Sequence, residues 1–339
     1  MAGDLPPERE CLRTSQLALV AAGQSLAECG RDLKELQQLR VGVCIGTTVG
    51  SALNNETFYR QFRHGEEPDM TAINRYLRSN PAAVVARYFG LRGPVATLVN
   101  ACSSGTDAIG LAASWLRAGL CDLALAGGAD ELCRTTCNGF AALQIAATEP
   151  VRPFASGRKG LNLGEGAGIL LLERSKTPSA EVVKGWLRGY GSAGDAYHLT
   201  APHPEGRGLH RAIDEALAQA GCSPADIAFI NAHGTGTPDN DRVESQVLAA
   251  RFPGVPFVSS KGFTGHTLGA AGGIEAVLTL ACLNAGQLPG SIGCDPPDQT
   301  LEALPLTCNT RIQGRLAISQ SLAFGGNNSL VIFETGGRQ

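Results

Sequence analysis

The chain has 339 residues, 43% of them hydrophobic and 17% charged, a balance that fits a packed globular protein and excludes a disordered or fibrous one. Its 28 basic and 31 acidic residues leave a formal net charge of −3, which gives no reason to expect nucleic acid or an anionic membrane as partner. No apolar run approaches the ~18 residues of a membrane span, and the first ~25 residues lack a signal-peptide pattern, so the cytoplasm is the expected compartment.

Apolar positions Leu12, Leu17, Leu19, Val20 and Leu26 predict a helix over residues 11–29. Residues 41–47 read as a buried strand, 80–89 as a helix, 95–101 as a strand and 106–118 as a helix. Strands over 123–127 and 168–173 follow. After a Ser/Thr/Pro-rich connection the scheme resumes: strand 186–193, helix 208–220, strand 227–232, helix 242–252, strand 255–260 and helix 273–285. Residues 316–323 and 330–334 close as a hairpin. Strands separated by helices predict mostly parallel sheets with helices on their faces. The repetition predicts two similar halves in a five-layer α/β/α/β/α arrangement, residues 1–177 and 178–335.

Three segments carry chemistry. Asn100-Ala101-Cys102-Ser103-Ser104-Gly105 sits between a strand and a helix; Asn231-Ala232-His233-Gly234-Thr235-Gly236-Thr237-Pro238 and Ser260-Lys261-Gly262-Phe263-Thr264-Gly265-His266 are Gly-rich turns. A thiol at a strand-to-helix turn and two histidines on separate turns suit acyl transfer through a thioester. The helix that follows Cys102 is expected to stabilise a thiolate and lower the thiol pKa. The other ten cysteines are scattered without a CxxC pair, so they read as buried apolar residues in a reducing compartment, and no metal site is expected.

The ordered motifs are similar to those of the β-ketoacyl-acyl carrier protein synthases of the thiolase-like superfamily. ACSSG surrounds Cys102, GGAD spans 127–130, RPF 152–154, LGEGAG 163–168, HGTGTP 233–238, KGFTGH 261–266 and FGGNN 324–328. The second histidine resembles the Cys-His-His elongating type, and residues 132–140 resemble synthases of aryl-polyene-type pathways.

The resemblance implies that Cys102 takes an acyl chain from a carrier-bound thioester, and that His233 and His266 stabilise the enolate formed when malonyl-carrier loses CO₂. It implies an oxyanion site from the backbone N–H groups of Cys102 and Phe324, with Phe324 also gating the acyl pocket. Lys261 and Glu244 match a buried ion pair that orders the histidine loops, and Thr235 and Thr237 match hydroxyls that contact pantetheine. Glu165 is expected to be structural and Asn328 to order the last turn. No cofactor is implied, since phosphopantetheine arrives on the acyl carrier protein. A homodimer or a heterodimer through the strand before Cys102 is implied, and charge alone nominates Arg9, Arg13, Arg158 and Lys159 for carrier docking.

Three features depart from the family pattern. A central strand with which the first half usually begins has no counterpart here; Arg158-Lys159-Gly160-Leu161 stands where many relatives have RDGF; and Ala323 and Asn327 replace residues common beside the gate. The alternative function, from a different class, is a non-catalytic subunit that sets chain length in a heterodimer; such subunits typically lack the nucleophile, which Cys102 supplies. A non-decarboxylating thiolase needs a second late catalytic cysteine, and no such motif is visible.

Overall fold

The computed structural model describes residues 11–174 and 183–336. The first half runs α1 (Arg13–Ala27), α2 (Leu33–Leu36), β1 (Val41–Gly46), α3 (Glu56–Arg63), α4 (Thr71–Arg78), α5 (Pro81–Phe89), β2 (Val95–Leu98), α6 (Ser104–Arg117), β3 (Leu123–Asp130), α7 (Arg134–Ala142) and β4 (Gly166–Glu173). The second runs β5 (Gly185–Gly194), α8 (Arg207–Ala220), β6 (Ile227–Asn231), α9 (Pro238–Arg251), β7 (Phe257–Val258), α10 (Lys261–Thr264), α11 (Ala271–Ala285), the short pair β8 (Gln287–Leu288) and β9 (Thr310–Arg311), then β10 (Leu316–Ala323) and β11 (Asn327–Thr335).

Local sequence explains the elements. Asn80 caps α5 by accepting the Ala83 N–H at 3.1 Å, Pro81 occupies the first turn where a missing N–H costs nothing, and Gly90 closes the helix at φ +67°. Every residue of β1 and of β3 is buried, as expected for strands covered on both faces. Their alternation sorts the core: Val41, Val43 and Ile45 face α1 and α5, while Cys44 faces α6.

The first sheet has the order β2-β1-β3-β4 and the second β5-β11-β10-β6-β7, each with parallel central strands and antiparallel pairing toward one edge. Three hydrophobic clusters define five layers. One joins α1 and α5 to the outer face of the first sheet, and another joins α8 and α9 to the outer face of the second. The third fills the middle around α6 and α11.

Two expectations change. Beside β4 there is no counterpart of β5 among the described residues, so the strand without an equivalent in the first half belongs at a sheet edge, not in the centre. The stretch Leu268–Ala285 does reach the length and hydropathy of a membrane span, but it is 61% buried and its helix lies between the two sheets. The 177/178 boundary falls in residues 175–182, outside the described ones.

The middle layer needs glycine for close approach. A β-carbon on Gly272 of α11 would stand 2.4 Å from the Thr106 backbone nitrogen of α6, and one on Gly46 of β1 would stand 2.2 Å from the Ser104 carbonyl carbon. No side chain fits at either distance.

Candidate active site

Strand ends and helix starts meet at one cavity of about 170 Å³, lined by Cys102, His233, His266, Thr235, Thr237, Phe140, Phe324 and Asn328 among others. Cys102 precedes α6 on a turn in which Ala101 adopts φ +48°, a region costly for a residue with a β-carbon. Ser104 stabilises that turn: its hydroxyl donates to the Ala101 carbonyl at 2.6 Å and accepts the Asn100 N–H at 2.7 Å.

The expected low thiol pKa is not found. Cys102 is only 4% exposed, and burial pushes its thiol up to about 11, against the opposing pull of Lys261 and of the Phe324 N–H. Burial out of water disfavours the thiolate more than the Lys261 charge favours it. The Phe324 N–H faces the sulfur on a turn whose Gly325 and Gly326 adopt φ +86° and +78°, and the Phe324 ring stacks on Phe140 with centroids 5.6 Å apart.

His233 leaves the end of β6 and His266 follows α10; their rings lie 5.1 Å apart and nearly perpendicular. Both are buried, and burial, reinforced by the Lys261 charge, holds both well below the ordinary imidazole range. Each ring has its Nδ1 engaged as an acceptor. The Leu268 N–H donates to His266 Nδ1 at 3.2 Å, and Lys261 Nζ lies 3.2 Å from His233 Nδ1. A neutral ring whose Nδ1 accepts carries its proton on Nε2, so both histidines keep an Nε2–H donor.

Lys261 is also misassigned by sequence. Its ammonium pairs with Glu275 of α11, not with Glu244, and donates to the His233 carbonyl at 2.6 Å. Glu244 instead accepts the backbone N–H groups of His233 at 2.5 Å and Gly234 at 2.7 Å, with Gln320 and Asn240 donating to it as well. A carboxylate occupied by four donors has little left for a lysine. Burial pushes Glu275 up to about 7, against the pull of Lys261.

Sequence reasoning also missed Asp241, which accepts the N–H groups of Thr235, Gly236 and Phe154 and so fixes the HGTGT turn; burial pushes it up to about 6. Thr235 and Thr237 share a hydroxyl hydrogen bond of 2.8 Å at the cavity wall. Asn328 donates to the Gly326 carbonyl at 3.0 Å, and Glu165 pairs with Arg13 while accepting the Leu132 N–H.

The carrier-docking nominations fare unevenly. The Arg158 side chain is only 8% exposed and bonded to Asp298 at 2.6 Å with Asp241 beside it, so it is part of the loop scaffold and not a docking contact. Arg13 pairs with Glu165 and exposed Lys159 with Glu149. Arg9 lies outside the described residues.

Comparison with known proteins bears on this arrangement. Residues 5–177 match the family model described as beta-ketoacyl synthase, N-terminal domain, and residues 184–295 match its C-terminal counterpart. The 3-oxoacyl-[acyl-carrier-protein] synthase 2 of Staphylococcus aureus is 32% identical over 347 residues, covering 98% of this chain and 86% of that protein. Among solved structures, the ishigamide ketosynthase/chain length factor superposes with a TM-score of 0.90 at 30% identity, covering 98% of this chain and 85% of that one. The complex of the ketosynthase ApeO with its chain length factor ApeC from Xenorhabdus doucetiae gives a TM-score of 0.87 at 36% identity, covering 99% and 86%.

Proposed function

The chain belongs to the beta-ketoacyl synthase family, and from that premise we propose that it is a 3-oxoacyl-[acyl carrier protein] synthase acting through Cys102, His233 and His266. The observation that carries this reading is the pair of neutral Nε2–H donors beside a buried thiol in one cavity.

The sulfur of Cys102 attacks the acyl-carrier thioester carbonyl and expels the pantetheine thiol. The developing oxyanion is met by the Cys102 and Phe324 N–H groups. Because the resting thiol is protonated, its proton must leave as the C–S bond forms, and the expelled pantetheine sulfur is where that proton ends up. Malonyl-carrier then enters, its pantetheine arm beside the hydroxyls of Thr235 and Thr237. Loss of CO₂ leaves an enolate whose oxygen accepts hydrogen bonds from His233 and His266. The enolate carbon attacks the Cys102 thioester carbonyl, the acyl C–S bond breaks with its electrons going to the Cys102 sulfur, and the 3-oxoacyl-carrier is released with the thiol free again.

No resident cofactor takes part in this scheme; the pantetheine belongs to the substrate. Partner, compartment and organisation follow the same reading: an acyl carrier protein as substrate, a related ketosynthase subunit or a second copy as dimer partner, and the cytoplasm, with halves 1–177 and 178–335 bringing the nucleophile and the histidines. Two similar solved structures are of a ketosynthase with a chain length factor. The edge strand β2 leaves Val95 and nearby Val99 exposed for such a contact. The presence of all three reactive residues favours catalysis over a silent chain-length subunit.

Intact-protein mass spectrometry tests this reading, using the purified chain incubated with acyl-carrier proteins of several chain lengths. One added acyl group, absent in Cys102→Ala, is expected. Failure of every donor to leave an adduct would point to the non-catalytic subunit instead.

A further inference from the structure

The chemistry above uses neither Asp107 nor Tyr190, yet both are largely buried and they bridge the two halves of the molecule. Asp107 lies in the first turn of α6 and is 6% exposed. One carboxylate oxygen accepts the Asn100 side-chain amide at 2.5 Å and the Ser103 hydroxyl at 2.8 Å. These two residues flank the strained Ala101–Cys102 step. The other oxygen accepts the Tyr190 hydroxyl at 2.9 Å.

Tyr190 comes from β5 in the second half, and its place is tightly set. Its ring lies against Gly110 of α6, where an added β-carbon would stand 2.5 Å from ring atoms. Its own N–H donates to Gln219 of α8 at 2.7 Å. Burial and the neighbouring Asp107 hold the phenol above its usual range, so it remains a donor throughout the neutral region.

We propose that Asp107 and Tyr190 are positioning residues for the nucleophile: a clamp from the second half that holds the Asn100–Ser103 turn so the Cys102 N–H and sulfur stay aligned with the Phe324 N–H. Three donors engage a carboxylate placed directly beneath a turn that its own backbone disfavours. Removing the Tyr190 hydroxyl leaves the Asp107 Oδ1 unpaired and gives the turn room to relax. Neither residue lines the reaction cavity, so substrate affinity is not their province. The inference rests on Cys102 being the acylated residue.

The test uses the full chain with Tyr190→Phe, which keeps the ring and removes the hydroxyl, and with Asp107→Asn as second variant. Cys102 acylation is followed by mass spectrometry against acyl-carrier concentration, and malonyl-carrier decarboxylation is measured separately. The expected result is a maximal acylation rate about 10- to 100-fold lower, with half-saturation unchanged and decarboxylation within about twofold. The double variant should be no slower than Asp107→Asn, because the hydroxyl acts only through the carboxylate.

Wild-type acylation rates in folded Tyr190→Phe overturn the clamp, as do equal losses in acylation and decarboxylation. If Tyr190→Phe does not fold, Asp107→Asn carries the same comparison. A wild-type chain that never acquires an adduct overturns the reading of the site itself, which the variants do not decide.

Discussion

Lys261 gives the sharpest test of how the histidine loops are held. Its side chain is 1% exposed and that of Glu275 is 2% exposed, so removing either partner strands a charge in the middle layer. Breaking a buried pair from one side costs about 3–5 kcal/mol, whereas replacing both by apolar residues of similar volume is about neutral or better. Lys261→Met and Glu275→Leu should therefore each lower stability by about 3–5 kcal/mol, while the double variant returns close to wild type. Urea unfolding of the four proteins, with equal m-values as the check on comparability, reads this directly. The control pairs Lys261→Met with Glu244→Leu. It should recover nothing, because Glu244 holds the His233 and Gly234 N–H groups independently of the lysine. Additive losses in the first cycle, or rescue in the second, would refute the assignment of the pair. The restored double variant should nonetheless condense poorly, since the His233 carbonyl and Nδ1 have lost the ammonium beside them.

Four further outcomes follow from the same geometry. With the Cys102 thiol up at about 11, the free enzyme holds it protonated from pH 6 to 9; alkylation by iodoacetamide, quantified at Cys102 by peptide mass spectrometry, should keep rising about tenfold per pH unit across that range, and a plateau below pH 9 would contradict it. His233 and His266 have depressed folded-state pKa values, so they stay neutral as pH falls through the usual imidazole value of about 6.5. Malonyl decarboxylation by His266→Ala should be lost while Cys102 acylation remains measurable, and the wild-type decarboxylation rate should show no histidine-driven fall between pH 8 and 6. Gly272→Ala, which forces a methyl against the Thr106 nitrogen, should cost at least about 1–3 kcal/mol by overpacking, seen as a lower urea midpoint.

Much of the fold was legible because its core elements carry strong patterns. The helices around Leu19, Ile213 and Leu280 and the buried strands of both sheets lie where periodicity puts them. Residues 52–78 had no such signal: α3 and α4 bury none of their residues, so no core-facing stripe marked them. The strand before Cys102 reads too long from the sequence because Val99 continues its apolar run; the chain turns there just ahead of Cys102, at the cost of the Ala101 conformation. The three residues singled out by motif order, Cys102, His233 and His266, share one cavity, but the partners that hold them are not legible in the sequence. Choosing Glu275 over Glu244 as the partner of Lys261 needs three dimensions, although Glu275 does leave a trace as the single charged residue of apolar α11. Arg158 looked like a surface cation for the same reason: nothing local announces Asp241 and Asp298 closing over it.

The glycine seam between α6 and its surroundings has a consequence for how such a protein can diversify. Where Gly272 meets Thr106 and Gly46 meets Ser104, spacing is set by backbone against backbone, and no rotamer can stretch or shorten it. Cys102 at one end of that seam is thus registered to the loops that carry the histidines by something close to a fixed gauge. Residues at the cavity rim such as Phe140 and Leu143 lie away from these contacts. Their bulk can be traded to admit a longer, shorter or stiffer chain while the reacting atoms keep their spacing, so a lineage can change what it builds without relearning how to build it.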